Sequence, residues 1–267
     1  MPENNIPKLS TVTIVRHEIS QHLHNVYNAN QLLTIQARTA RAQSHTSQIK
    51  SNILSAMRIL SNYIDYIANP EEYDEYMRVS FKEIDIVKFI RRMQLSITEL
   101  ITSDYNINLS LKTGAESIFV ITDSKRLEKI LYNLVSNSVR HAVKKEKQKI
   151  VWSVKETDDS VTVSVRDLSG GIETEDNIFE AYKSSENSAI DPATGLGLGL
   201  AATLKLASEM QAEIALENMP GIGAEFSVIM PKTVELPREM SVVSDSGNDM
   251  FEIDEELLLM YFGDVFE

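Results

Sequence analysis

Tyr132-Asn133-Leu134-Val135-Ser136-Asn137-Ser138-Val139-Arg140-His141 places two carboxamides four residues apart. On a helix that spacing puts both on one face, while Leu127, Ile130, Leu131, Leu134 and Val135 supply an apolar face. Downstream come Asp167-Leu168-Ser169-Gly170-Gly171-Ile172 and then Gly195-Leu196-Gly197-Leu198-Gly199-Leu200. Taken singly, these are a polar helix surface, a strand-end turn and a Gly-rich loop. In this order, separated by strand-like and loop-like stretches, they read as a nucleotide site.

The chemistry of each segment agrees with that reading. Mg²⁺ keeps several waters and takes one or two protein oxygens beside phosphates, which Asn133 and Asn137 can supply without adding negative charge. A fixed carboxylate at Asp167 accepts from an exocyclic amine and so selects adenine over guanine, while Gly170 and Gly171 let the backbone turn and a ligand approach. The amides of Gly195, Gly197 and Gly199, at the start of a predicted helix over Leu198 to Met210, can surround phosphate oxygens. The polar stretch from Glu173 to Thr194 has no clear period and suits a lid.

Working outward, Ile150 to Glu156 and Val161 to Asp167 alternate apolar and polar residues around Asp158-Asp159, a hairpin signature. Strands are also predicted at Ile107 to Leu111, Ser117 to Ile121, Glu213 to Glu217 and Ala224 to Met230, and helices at Ile86 to Ile101 and Ser124 to Val143. These make an α+β fold: an α/β sandwich whose sheet is mixed and mostly antiparallel, with helices on one face. Upstream, Val12, Ile19, Val26, Leu33 and Ala40 recur every seven residues, predicting a helix from Leu9 to about Arg41. After a polar connection at Ala42 to Thr46, Ile49, Ile53, Ala56, Leu60, Tyr63 and Ile67 mark a second helix that ends before Asn69-Pro70. Two such helices form an antiparallel hairpin, and two copies would bury both seams as a dimeric four-helix bundle. The domain bounds read as 1–76 for the hairpin, 77–232 for the sandwich and 233–267 for a tail.

The chain of 267 residues has a formal net charge of −13, which disfavours nucleic acid as a partner. Beyond Lys232 ten acidic residues face one base, Arg238, so the tail carries most of the asymmetry. Its end is nonetheless apolar, with Phe251, Ile253, Leu257, Leu258, Met260, Tyr261 and Phe262, and is expected to dock. It suits blocking the lid or recruiting a partner. With no cysteine, no span-length apolar run and no signal-peptide pattern, the expected location is cytoplasmic.

His17-Glu18 lies on the first predicted helix. A neutral imidazole is a competent nucleophile toward phosphorus, and the adjacent carboxylate can orient it or take its proton. His24, one heptad on, is the rival acceptor, followed by Asn25 rather than an acid; His22 falls nearer the seam and reads as structural.

The chain resembles the catalytic core of sensor histidine kinases over about Ser10 to Lys232. Asp123-Ser124-Lys125-Arg126-Leu127 through His141 is similar to that family's asparagine box, which implies Mg²⁺ at Asn133 and Asn137 and phosphate or ribose contacts from Arg140 and His141. Asp167 to Ile172 resembles the first glycine box, Ile178-Phe179-Glu180-Ala181-Tyr182 the phenylalanine box, Gly195 to Leu200 the second glycine box and Gly221 to Phe226 the last glycine motif. Arg16-His17-Glu18-Ile19-Ser20-Gln21-His22-Leu23 resembles the phosphoacceptor box. The resemblance implies transfer of the ATP γ-phosphoryl to His17 and onward to a response regulator aspartate, with Gln21 positioning water for a phosphatase reaction. Ser169, Ala224 and His22 stand where glycine, threonine and proline are usual. Sensor input would come from a separate protein, from the tail or from a further region of a longer chain. The competing expectations are a phosphotransfer or docking scaffold with a degenerate nucleotide fold, and a chaperone-type ATP clamp, in which the hairpin bearing His17 has no place.

Overall fold

The computed structural model describes residues 11–69, 78–100, 107–142, 148–172, 178–180, 197–235, 243–244 and 252–263; the side chains of residues 11–18, 141–142, 148 and 243–244 are outside that description. Helices α1 (Thr11–Gln36) and α2 (Ala40–Ile67) form the N-terminal hairpin. The turn lies at residues 37–39, earlier than the polar stretch at Ala42 to Thr46 suggested. Thr39 decides this: its side chain accepts from the Ala42 amide at 3.1 Å and starts α2, as an N-cap does. Asn30 Nδ2 donates to the Thr46 carbonyl at 2.8 Å and sets the register of the two helices.

The seam residues do not face each other within the hairpin. Ile19, Val26 and Leu33 of α1 and Ile49, Tyr63 and Ile67 of α2 are all exposed, whereas Ile53, Leu54, Met57 and Ile64 of α2 turn inward to the rest of the chain. His22 is exposed as well, like the seam it lies near.

Five strands form one sheet in the order β2 (Ile107–Thr113), β4 (Gln148–Glu156), β5 (Ser160–Arg166), β7 (Gly223–Pro231), β6 (Glu213–Met219). The β2–β4 pair is parallel and the others antiparallel. Their alternation follows the pleat: Val161, Val163 and Val165 on β5, and Ala224, Phe226, Val228 and Met230 on β7, are buried on one face. Helices α3 (Ile86–Leu100), α4 (Ser124–Ala142) and α5 (Gly199–Glu209) cover that face, so the fold is α+β as expected.

A second, three-stranded sheet was not foreseen. It joins β3 (Phe119–Thr122) antiparallel to β1 (Lys82–Asp85), and β1 in parallel to β8 (Val243–Ser244) from the tail. The tail then adds α6 (Glu255–Phe262), capped by Asp254, whose side chain accepts from the Leu257 amide at 2.9 Å. Leu258, Met260, Tyr261 and Phe262 enter the same hydrophobic core as α3, α4 and Ile53 and Met57 of α2. Among the described residues, no helix is long and apolar enough to cross a membrane.

Candidate functional site

Helix α4 carries the asparagine pair. Asn133 is buried, its Nδ2 donating to Thr203 Oγ1 of α5 at 2.8 Å, while Asn137, one turn later, is only half-buried. The Thr203 bond fixes the amide orientation and turns the Asn133 oxygen toward Gly199, the first residue of α5. A Cβ on Gly199 would lie 2.6 Å from that oxygen, so the start of α5 fits against Asn133 only because no side chain intervenes. Position 198 has no side-chain cap, leaving the first amides of α5 without that partner.

Asp167 follows β5 and is buried. Its backbone amide donates to the Ala224 carbonyl of β7 at 3.0 Å, Oδ1 accepts from the Ser169 amide at 2.9 Å, and Oδ2 accepts from the Ser138 hydroxyl at 3.4 Å. Ser138 adjoins Asn137 in sequence, so one hydroxyl links the asparagine helix to the aspartate turn. The two unusual residues here act through their backbones: Ser169 by its amide and Ala224 by its carbonyl, so neither substitution removes a contact that holds Asp167.

The turn beyond Asp167 is stitched to the β6–β7 connection. Gly170 donates to the Ile222 carbonyl, Gly221 donates to the Gly170 carbonyl, and Asn218 exchanges two 2.8 Å bonds with the backbone of Ile172. Gly171 sits at φ +80°, and a Cβ there would meet Asn218 Oδ1 and the Met219 carbonyl at 2.8 Å, which fixes glycine at this position. Phe179, within the stretch expected to form a lid, packs edge-on against Phe226 of β7 with ring centroids 6.3 Å apart.

The fold thus brings Asn133, Asn137, Asp167, Gly171, Gly197 and Gly199 to one end of the sheet and helices. It turns Arg140 elsewhere, with Nη2 donating to the Tyr261 carbonyl of α6 at 3.1 Å. His141 is in the last turn of α4 with its side chain outside the described residues, and Gly195 lies outside them altogether. His17 and Glu18 occupy α1, and Gln21, one turn after His17, is exposed. His24 is engaged at both ring nitrogens: Nδ1 donates to the Ser20 carbonyl at 2.6 Å and Nε2 meets the Glu256 carboxylate of α6. Thr203, Ser138 and Asn218 escaped the sequence reading. Thr203 lies one helical turn after Gly199 and Ser138 beside Asn137, but hydroxyls at such spacings mark nothing until partners are placed.

Residues 122–234 match the family described as histidine kinase-, DNA gyrase B- and HSP90-like ATPase. Over 228 residues, 81% of this chain, 27% are identical to the sensor histidine kinase GacS of Pseudomonas protegens. Residues 122–234 thus carry an ATPase region of that family, and along most of its length the chain is similar to histidine kinase catalytic cores. The matched ATPase region starts at the end of β3 and takes in both glycine turns and the asparagine helix. The chain spans 24% of the length of GacS and 30% of that of the similar ArcB of Escherichia coli, so it corresponds to a part of those proteins. In fold, the chain is similar to full-length ShkA in complex with AMPPNP (TM-score 0.65, 21% identity, 85% of this chain and 47% of that one). It is also similar to histidine kinase ThkA in complex with response regulator protein TrrA (TM-score 0.57, 20% identity, 84% of this chain and 63% of that one).

Proposed function

We propose that the chain binds ATP at the α4–α5 site and transfers its γ-phosphoryl group to His17, from which it passes to an aspartate of a response regulator receiver domain. The observation that carries this reading is the arrangement around Asn133: an amide oxygen fixed by Thr203, facing the glycine start of α5, with Asn137 one turn on and Asp167 held by Ser138 and Ser169. These donors fit a magnesium nucleotide. Asp167 would accept from the adenine amine, the first amides of α5 would receive phosphate oxygens, and the Asn133 and Asn137 oxygens would hold Mg²⁺. When bound, Mg²⁺ neutralises charge on the phosphates.

In the transfer, a ring nitrogen of His17 forms the new N–P bond as the bond from phosphorus to the departing ADP oxygen breaks. Glu18 takes or orients the other ring proton. His24 is the poorer acceptor, because both its ring nitrogens are engaged. The exposed seams of α1 and α2 support assembly with a second copy of the chain into a four-helix bundle. A receiver domain as partner is supported by the likeness to the ThkA–TrrA complex, and Gln21 extends the reading to dephosphorylation of that partner.

Incubation with ATP labelled at the γ position tests the proposal. Acid-labile label is expected on the intact chain and absent from His17→Ala; a chain that binds ATP yet takes no label overturns it. In the same assay Gln21→Ala should slow loss of phosphate from the regulator about tenfold or more, and an unchanged rate removes that role.

A further inference from the structure

Helix α6 touches both halves of the molecule. On the ATP-binding side, the Asp254 amide donates to Glu128 Oε1 at 3.2 Å, Arg140 donates to the Tyr261 carbonyl, and Tyr132 packs edge-on against Phe262 with centroids 5.6 Å apart. On the hairpin side, the Tyr261 hydroxyl donates to Asn62 Oδ1 of α2 at 2.9 Å, and Gly263 lies against Leu54. Glu256 reaches over to His24 of α1. Beside α6, Lys129 of α4 pairs with Asp65 of α2 at 2.8 Å.

Two features give this contact a meaning beyond packing. The first is its place on α1. Positions 17 and 24 are seven residues apart, so they share a helix face about 10 Å apart along the axis. The antiparallel register set by Asn30 and Thr46 puts Asn62 and Leu54 level with α1 residues on either side of position 17, because both helices rise equally per residue. The tail therefore runs beside the acceptor's own stretch of the hairpin.

The second feature is reversibility. At eight residues α6 is too short to hold its helix alone in water, so undocking and unfolding are one event. The joint also buries the Glu128 carboxyl, whose charge resists desolvation; burial pushes this group up to about 7. A permanently fused core would gain by an apolar residue there.

We propose that α6 is an autoinhibitory cover: docked, it ties the ATP-binding domain to α2 and occupies the face of α1 shared by positions 17 and 24, and transfer to His17 requires it to let go. This rests on the reading of His17 as the acceptor. The cover restrains the approach of the nucleotide site to α1, not nucleotide binding itself, since its contacts on α4 are made by Glu128, Tyr132 and Arg140 and not by the asparagines.

The native chain has no cysteine, so a His24→Cys/Glu256→Cys variant carries the only two thiols. A short bis-methanethiosulfonate cross-linker locks the tail down, and reductant releases it in the same sample. The locked chain is expected to label His17 at least tenfold more slowly than the reduced chain, while a fluorescent ATP analogue binds both within twofold. In the otherwise unaltered chain, Phe262→Ala, which loosens α6 without touching α1, should raise the labelling rate severalfold. Equal or faster labelling when locked, or a rate not raised by Phe262→Ala, overturns the cover and spares the kinase reading. A reduced chain that binds the analogue but takes no label overturns both.

Discussion

Gly199 shows how a single missing atom organises the site. Elsewhere on a helix, exchanging glycine for alanine stabilises by up to about 1 kcal/mol. Here the added Cβ would press to 2.6 Å from the Asn133 oxygen, which Thr203 prevents from turning away. Overpacking of that kind costs about 1–3 kcal/mol, so the clash outweighs the propensity gain. Gly199→Ala should therefore lower the melting temperature and, by displacing the Asn133 amide, weaken nucleotide affinity about tenfold, a change of about 1.4 kcal/mol. Titration with a fluorescent ATP analogue and a thermal melt check both signs.

At the scale of the element, α6 has a pH dependence with a definite sign. Glu128 has its carboxyl raised from 4.5 to about 7, first by burial and against the pull of the Asp254 amide that donates to it. The acid facing it from the tail is Asp254, which disfavours its charge; Lys125 on α4 favours it. The docked form thus holds the proton more tightly than the released form. Its stabilisation is complete below about 4.5, falls as pH rises, and is gone once pH passes about 7. Docking of α6 should weaken by about tenfold between pH 6 and pH 8. Hydrogen exchange of residues 255–262, corrected for intrinsic rates, measures this; Glu128→Gln, which keeps the acceptor and loses the charge, should flatten the profile. An equally steep profile in that variant would assign the effect to another group.

For the whole molecule, the outward seams support the proposed pairing of the hairpin with a second copy of the chain. Ile19, Val26 and Leu33 follow the heptad yet are exposed, and Ile49, Tyr63 and Ile67 of α2 join them. Burying one such side chain contributes about 1.5–3 kcal/mol, and a two-fold interface counts each twice. Val26→Asp with Leu33→Asp should weaken the dimer at least about a hundredfold. Sedimentation should then report a monomer that still binds nucleotide, since the Asn133 site lies in the other half of the chain. A variant that stays dimeric would remove the seam from the interface.

The sequence by itself determined the long helices and the strands of the larger sheet, because burial on one face imposes a period of two on β5 and β7 and of three to four on α4, while the period of seven on α1 marks a face that stays exposed in the single chain. It also marked the three segments whose described residues the fold brings to one end of the sheet, since turns at Gly170-Gly171 and carboxamides one turn apart are local facts. What only the tertiary structure decided is who meets whom. Thr203 fixes Asn133 across 70 residues, Ser138 holds Asp167 across 29, and Glu256 reaches His24 across 232. Short elements such as β1, β8 and α6 have too few residues to show a period, and their partners lie on distant parts of the chain. Arg140 belongs by sequence to the asparagine segment, yet it donates to the tail. No local pattern encodes that choice, because α6 exists as a helix only against the surfaces that α2, α3 and α4 together provide.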